Sequence, residues 1–201
     1  MKSSSPRFLI VLLAAWGLAA AAAGACQLLQ HLPPASAQLL IAGLTIALSF
    51  AMARNQRLKA EVASLSLRAI LALHLVRFIG LYFLWLHGQG RLPVEFAERA
   101  GWGDIAAASG ALALLVWPTA GAGFRRALFW WNIFGAADLL VAVGIAAWLT
   151  ISRPGSMIEI TQLPLTLIPL WAVPVILASH IYLLRQHACH REVAEPDPVR
   201  A

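Results

Sequence analysis

The chain alternates long, almost unbroken apolar runs with short polar ones. The runs cover 8–30, 37–53, 66–87, 104–120, 127–150 and 163–186, each of the length, roughly 17 to 25 residues, at which a helix crosses a ~30 Å hydrocarbon core. This pattern predicts an all-α fold: a polytopic integral membrane bundle of six transmembrane helices occupying residues 1–186. Residues 187–201 are polar, contain Pro196 and Pro198, and read as a disordered tail.

Punctuation between the runs refines the picture. Pro33 and Pro34 make the turn after the first span, and the polar stretch 54–66 is expected to stay helical into the third. In 89–103, Pro93, Glu95 and Glu98 suit the start of a short interfacial helix that Gly101 stops, with Phe96 and Trp102 at head-group level. Asp104 then reads as the N-cap of the fourth span, and 121–126 as a tight turn. Pro169 and Pro174 each remove a backbone donor inside the sixth span, which should therefore be kinked or locally opened. The first thirty residues loosely resemble a processed leader, but the apolar core is too long for one and is expected to be retained as a helix.

Composition agrees: 60% of the residues are hydrophobic and 12% charged, and the mean hydropathy is +0.75. The formal charge of +6 raises the question of nucleic acid, and the placement of the cations answers it. With a cytoplasmic N-terminus, Lys2, Arg7, Arg54, Arg57, Lys59, Arg68, Arg125, Arg126, Arg185, Arg191 and Arg200 lie inside, against Arg91, Arg99 and Arg153 outside. That asymmetry is what the positive-inside rule expects, so both termini are placed in the cytoplasm and the cations beside lipid head groups, not nucleic acid. On this topology Cys26 and Cys189 lie on opposite sides, and neither belongs to a C-x-x-C pair.

Arg77 lies at mid-depth in the third span, where a lipid-facing arginine costs about 2.5–3.5 kcal/mol on insertion scales. It needs a partner, and Asp138 in the fifth span lies at the same depth. The pair reads either as a bridge that sets helix packing or as a polar site for an anionic or hydrogen-bonding solute, or a proton-coupled switch. Asp104 is a weaker candidate because capping accounts for it. Asn132 stands about 120° around its helix from Asp138 and is expected to make a separate interhelical bond. The segments 101–110 and 135–144 both fit G-x-x-D-[IL]-x-x-A-x-G. The assigned spans put their aspartates at different depths, so the match reads as coincidence in Ala/Gly-rich helices.

His74 and His180 fall at one depth on spans three and six, the pattern of a single b-type haem; the bland alternative is a pair of histidines hydrogen-bonded between helices. His31 and His87 read as solvated helix ends. HACHR at 187–191 is compact enough to catch a soft metal but brings no further ligands. There is no Walker A loop, no H-E-x-x-H and no paired C-x-x-C, so nothing points to an enzyme.

RFIGLYFL (77–84), GRLPVEFAERAGWGDI (90–105), WNIFGAADLLVAVG (131–144) and LPLTLIPLWAVPVILASH (163–180) resemble a group of uncharacterised bacterial multi-spanning membrane proteins. They share R-x-x-G-x-x-F-L, G-x-L-P-x-x-F-A-x-x-A-G-W-G-D, W-N-x-x-G-x-x-D-L and L-P-x-x-L-I-P-x-x-x-V-P. The resemblance implies a bacterial inner-membrane protein and names no reaction. Three classes stay open: a small permease or solute-binding membrane module, a b-type haem redox protein, and a helical subunit that binds a membrane-protein partner.

Overall fold

The computed structural model describes residues 6–119 and 121–194, with side chains as far as Ala188, and contains no strand among them. In order, α1 is Arg7–Ala25, α2 Ser36–Arg54, α3 Gln56–Ala63, α4 Leu67–Leu73, and α5 Gly80–Gly88. A 3₁₀ segment, His74–Ile79, joins α4 and α5 into one rod. Then come α6 Val94–Val116, α7 Ala122–Ser152, a π-helical turn Ile168–Ala172, and α8 Val173–Ala194. Five helical stretches are long and apolar enough to cross a membrane: 7–25, 36–54, 67–88, 122–152 and 168–188.

Several boundaries differ from the sequence reading, each for a local reason. The stretch 54–66 is not continuous with the third run. Asn55 caps α3 by accepting from the Arg57 and Leu58 amides, and Ser66 caps α4 by accepting from Ala69, so two short helices form where one was expected. Nor is there a separate interfacial helix before Asp104: α6 runs unbroken from Val94 to Val116. Gly101 is a contact residue within it and stops nothing, and Phe96 is buried against Phe83 instead of lying at a head-group surface. Residues 121–126 do not form a turn, because α7 begins at Ala122 with Arg125 and Arg126 already helical. α8 continues to Ala194, so the first half of the expected disordered tail is helix, and 195–201 lie outside the described residues.

Two helices form the centre. α6 is lined on one side by Ala97, Ala100, Gly101, Asp104, Ala107, Ala108 and Ala111, all buried, at the three-and-four spacing of a single helical stripe. Small side chains let the neighbours approach closely, which is how helices gain contact area in lipid. A side chain on Gly80 of α5 would run into the Gly101 carbonyl of α6. At Gly110, an added carbon would stand 2.6 Å from Trp131 of α7. The first turns of α8 are apolar, and Val173, Val175, Ile176, Leu177 and Ala178 are all buried. The prolines open its entry: Pro169 lies within the π-helical turn and Pro174 just after it, where missing donors leave the regular ladder incomplete.

Polar clasps tie the ends. Near the start of α1, the buried Glu61 of α3 accepts from the Leu9 amide at 2.6 Å, placing a carboxylate on orphan donors of the first turn. At the opposite end Arg91 pairs with Glu159 and Arg153 with Glu95. Trp171 donates to the Leu13 carbonyl at 3.0 Å and so fastens α1 to the entry of α8.

The Gly80 contact predicts a matched pair of outcomes. Gly80→Ala should cost about 1–3 kcal/mol through overpacking, whereas Gly43→Ala, with open space around it, should change stability by no more than about 1 kcal/mol, toward stabilisation. Thermal unfolding in detergent reads both, and equal responses would mean that α5 and α6 do not meet at this point.

Candidate functional site

The 3₁₀ segment explains how the third run presents its polar residues. With three residues per turn, side chains at i and i+3 eclipse one another, so His74, Arg77 and Gly80 line one edge; all three are buried, as are Leu71 before them and Phe83 after. In a regular α-helix the same residues would fan out around the axis.

That edge faces α6, α7 and α8. The Arg77 side chain is 1% exposed and every guanidinium nitrogen has an acceptor. Nε donates to Asp104 of α6 at 2.7 Å, Nη1 to the Gly135 carbonyl of α7 at 3.0 Å, and Nη2 to Asp138 of α7. The sequence pattern alone makes Asp104 an N-cap at the membrane boundary. It lies instead well inside α6, buried, and on Arg77. The two G-x-x-D segments do not have their aspartates at different depths. They lie on the consecutive helices α6 and α7, and each contributes one aspartate to the same guanidinium. Their glycines provide the space. Gly101 admits Gly80, and a side-chain carbon on Gly135 would stand 3.1 Å from Arg77 Nη1 and 2.7 Å from the His180 ring. A side chain on Gly103 would displace the Asp138 carboxylate outright.

Beside Arg77 lies a closed imidazole pair. His74 and His180 are both fully buried, with ring centroids 4.5 Å apart and Trp131 edge-on to His74 at 4.8 Å. Their partners determine which nitrogen carries the proton. Asn132 donates to the His180 carbonyl at 3.1 Å, which turns its side-chain oxygen toward His180 Nδ1 at 2.6 Å; Nδ1 is therefore the donor. Ser179 spends its hydroxyl proton on the Ile176 carbonyl at 2.7 Å, so it accepts from His74 Nε2 at 3.0 Å. His180 Nε2 and His74 Nδ1 are left as buried lone pairs without a partner. The expected separate role of Asn132 is thus to hold His180.

These rings do not fit a haem. Two axial imidazoles must stand across an open slot wide enough for the macrocycle, whereas His74 and His180 touch each other and are walled by Trp131 and Gly135. His31 is exposed, and His87 Nδ1 donates to the Leu92 carbonyl at 3.2 Å, a helix-end contact. Among the described residues no group of three potential metal ligands occurs. The Cys189 and His190 side chains of the tail motif lie outside them.

The two carboxylates differ in access. Asp104 is buried and does not line a groove of about 890 Å³ between α6 and α7, while the part-buried Asp138 does. Trp102, Phe134, Val141 and Ile145 line its apolar length, and Glu95, Glu98 and Arg99 stand at its mouth. Sequence reasoning missed Ser179, Trp131, Gly103 and the groove. Only the repeated G-x-x-D could have signalled that the second aspartate belongs with the first.

A helical fold with five stretches long and apolar enough to cross a bilayer, built around a buried ionic cluster, is that of a membrane protein. The chain belongs to the family described as Domain of unknown function (DUF8737), which matches residues 34–187 and so includes every residue of the cluster. No curated protein and no solved structure matches it.

Removing Arg77 leaves the buried Asp104 and the part-buried Asp138 without their cation, so Arg77→Ala should cost about 3–5 kcal/mol, the usual penalty for stranding a buried charge. Arg77→Ala combined with Asp138→Ala should lose less than the sum of the single losses. Thermal stability in detergent closes this cycle, and simple additivity would refute the pairing.

Proposed function

We propose that the protein is a bacterial inner-membrane module that crosses the bilayer six times, with both termini in the cytoplasm. It works as a small permease or solute-binding unit centred on Arg77, Asp104 and Asp138. α6 is the sixth span on this reading. Its low hydropathy comes from Glu95, Glu98 and Arg99 in its first turns and from Asp104, whose charge is met inside the bundle. The excess of basic residues at the α3 end supports the orientation.

One observation carries the functional reading: the second carboxylate opens onto a groove. A bridge that only sets packing needs one acid for one arginine and gains nothing from access. Polar and ionisable groups at this depth in membrane proteins face cavities and solute paths more often than they serve as plain struts. The guanidinium, with an acceptor on each nitrogen, acts as the fixed centre that holds two acids in place. Asp138 is the member left to meet a solute.

Ligand-induced stabilisation of the purified chain tests this. A solute present at 100 times its Kd adds about 2.7 kcal/mol, so a panel of small amines, carboxylates and neutral polar solutes should contain a class that raises the unfolding temperature of the native chain and not that of a folded Asp138→Asn variant. A flat response to all three classes would sink the solute-binding reading. Reporter fusions test the topology separately: those after residue 201 should report cytoplasm and those at 90 and 155 the outside, with the reverse pattern overturning the orientation.

A further inference from the structure

The ionic cluster does not balance. Arg77 brings one positive charge and Asp104 and Asp138 bring two negative ones, each within hydrogen-bond reach of the guanidinium. His74 and His180, the remaining titratable groups facing them, sit in neutral hydrogen-bond patterns with one N–H each. With both acids ionised the core carries a net charge of −1 in a region where an unpaired charge is heavily disfavoured. One more positive charge is needed.

Its place of entry follows from access. Asp104 is the more enclosed, its side chain 9% exposed and not part of the groove lining, whereas Asp138, at 13%, lines the groove. Charges at the groove mouth cancel: Glu95 is paired with Arg153, and Glu98 stands next to Arg99 in sequence. The uncompensated charge is therefore that of the core. The walls say what kind of cation fits. An alkali or alkaline-earth ion wants a shell of oxygen ligands, and Trp102, Phe134, Val141 and Ile145 supply none. Two exposed aromatic side chains beside a carboxylate suit instead a cation with an apolar body, held by the carboxylate's charge and by the ring faces.

Resting on the solute-binding reading above, we propose that Asp138 is an exchange site where the core's missing positive charge is supplied in turn by a proton or by a monovalent organic cation in the groove between α6 and α7. When the cation enters, the Asp138 carboxylic acid gives its proton to water at the groove mouth and the carboxylate so formed pairs with the cation; when the cation leaves, a proton returns. Charge is conserved in each direction, with one cation exchanged for one proton. Coupling of solute to proton is then a property of the cluster's charge and requires no second site.

Tetraphenylphosphonium is a suitable probe, because it carries a permanent charge on an apolar body and cannot itself release a proton. Tetraphenylborate has the same shape and the opposite charge. With the full chain in a neutral detergent, tetraphenylphosphonium should quench tryptophan fluorescence saturably, and tetraphenylborate should not. The apparent affinity should weaken up to tenfold for each unit of falling pH once Asp138 is protonated. In weakly buffered solution up to one proton per bound cation should appear, read with a pH indicator. Asp138→Asn should abolish both signals, and Asp138→Glu should restore them if the Asp138→Asn variant is in doubt as a folded protein. Binding without pH dependence or proton release would overturn the exchange. Equal binding of both probes would show an apolar groove indifferent to charge and overturn it too. Saturable binding of tetraphenylborate alone, lost in Arg77→Lys, would overturn the cation assignment while leaving the solute-binding reading in place. Failure of both probes to bind would overturn the exchange, with the solute panel still deciding the broader reading.

Discussion

A guanidinium in the middle of an apolar bundle cannot be left short of acceptors. Taking such an ion out of water costs several kcal/mol even after relaxation, and Arg77 recovers that only because each of its nitrogens reaches an oxygen. Those oxygens come from two different helices, so α6 and α7 must both be brought close to the rod formed by α4, the 3₁₀ segment and α5. Much of the bundle's centre follows from this requirement. The alanine and glycine stripe of α6 reduces the distance from the α5 side, and Gly103 and Gly135 clear the space that the Asp138 carboxylate and the His180 ring occupy. The 3₁₀ segment turns Arg77 onto the same edge as Gly80, so the charge and the closest backbone approach occur together.

The parts of this arrangement that were legible in the sequence are those set by one-dimensional depth. Apolar run lengths match five helical stretches because the bilayer imposes a minimum length on them, whereas the fourth run, 104–120, is offset from α6. The cost of a lone mid-bilayer arginine pointed to a partner, and Asp138 lay at a matching position along its run. Asp104 is illegible in this way because the local signals around it are those of helix ends. Pro93 does precede α6, but Gly101, which resembles a stop, is there for contact with Gly80. The same residue type terminates helices and packs them, and only the neighbour tells which. Once the helix was cut at Gly101, Asp104 became a cap and its match to the second G-x-x-D lost its meaning. The histidines show the complementary limit. Their shared depth is visible, whereas the separation of their rings depends on the rotation of α8 about its axis, which the apolar residues around its first turns do not encode.

The shell around Arg77 is asymmetric, and the asymmetry has a chemical consequence. On one side Asn132 and Ser179 fix the tautomers of His180 and His74, each by a side chain whose other hydrogen bond is already committed to backbone. Neither polar partner can turn away without stranding that second bond, so the histidines are held neutral in form and rigid in place. On the other side Asp138 has no such supporting partners. Its carboxylate is bounded by Arg77, by the absent side chain of Gly103, and by the groove.

Rigidity on the closed side is what makes the open side responsive. If Asp104, the histidines and Asn132 could rearrange, a change of charge at Asp138 would be absorbed by shifting hydrogen bonds within the core. Their hydrogen-bonded atoms are held by committed partners, the free nitrogens of His74 and His180 are buried and do not line the groove, and Arg77 cannot lose its proton in a protein. Any change of charge at Asp138 must therefore be met from the groove, by the one neighbour that is not fixed.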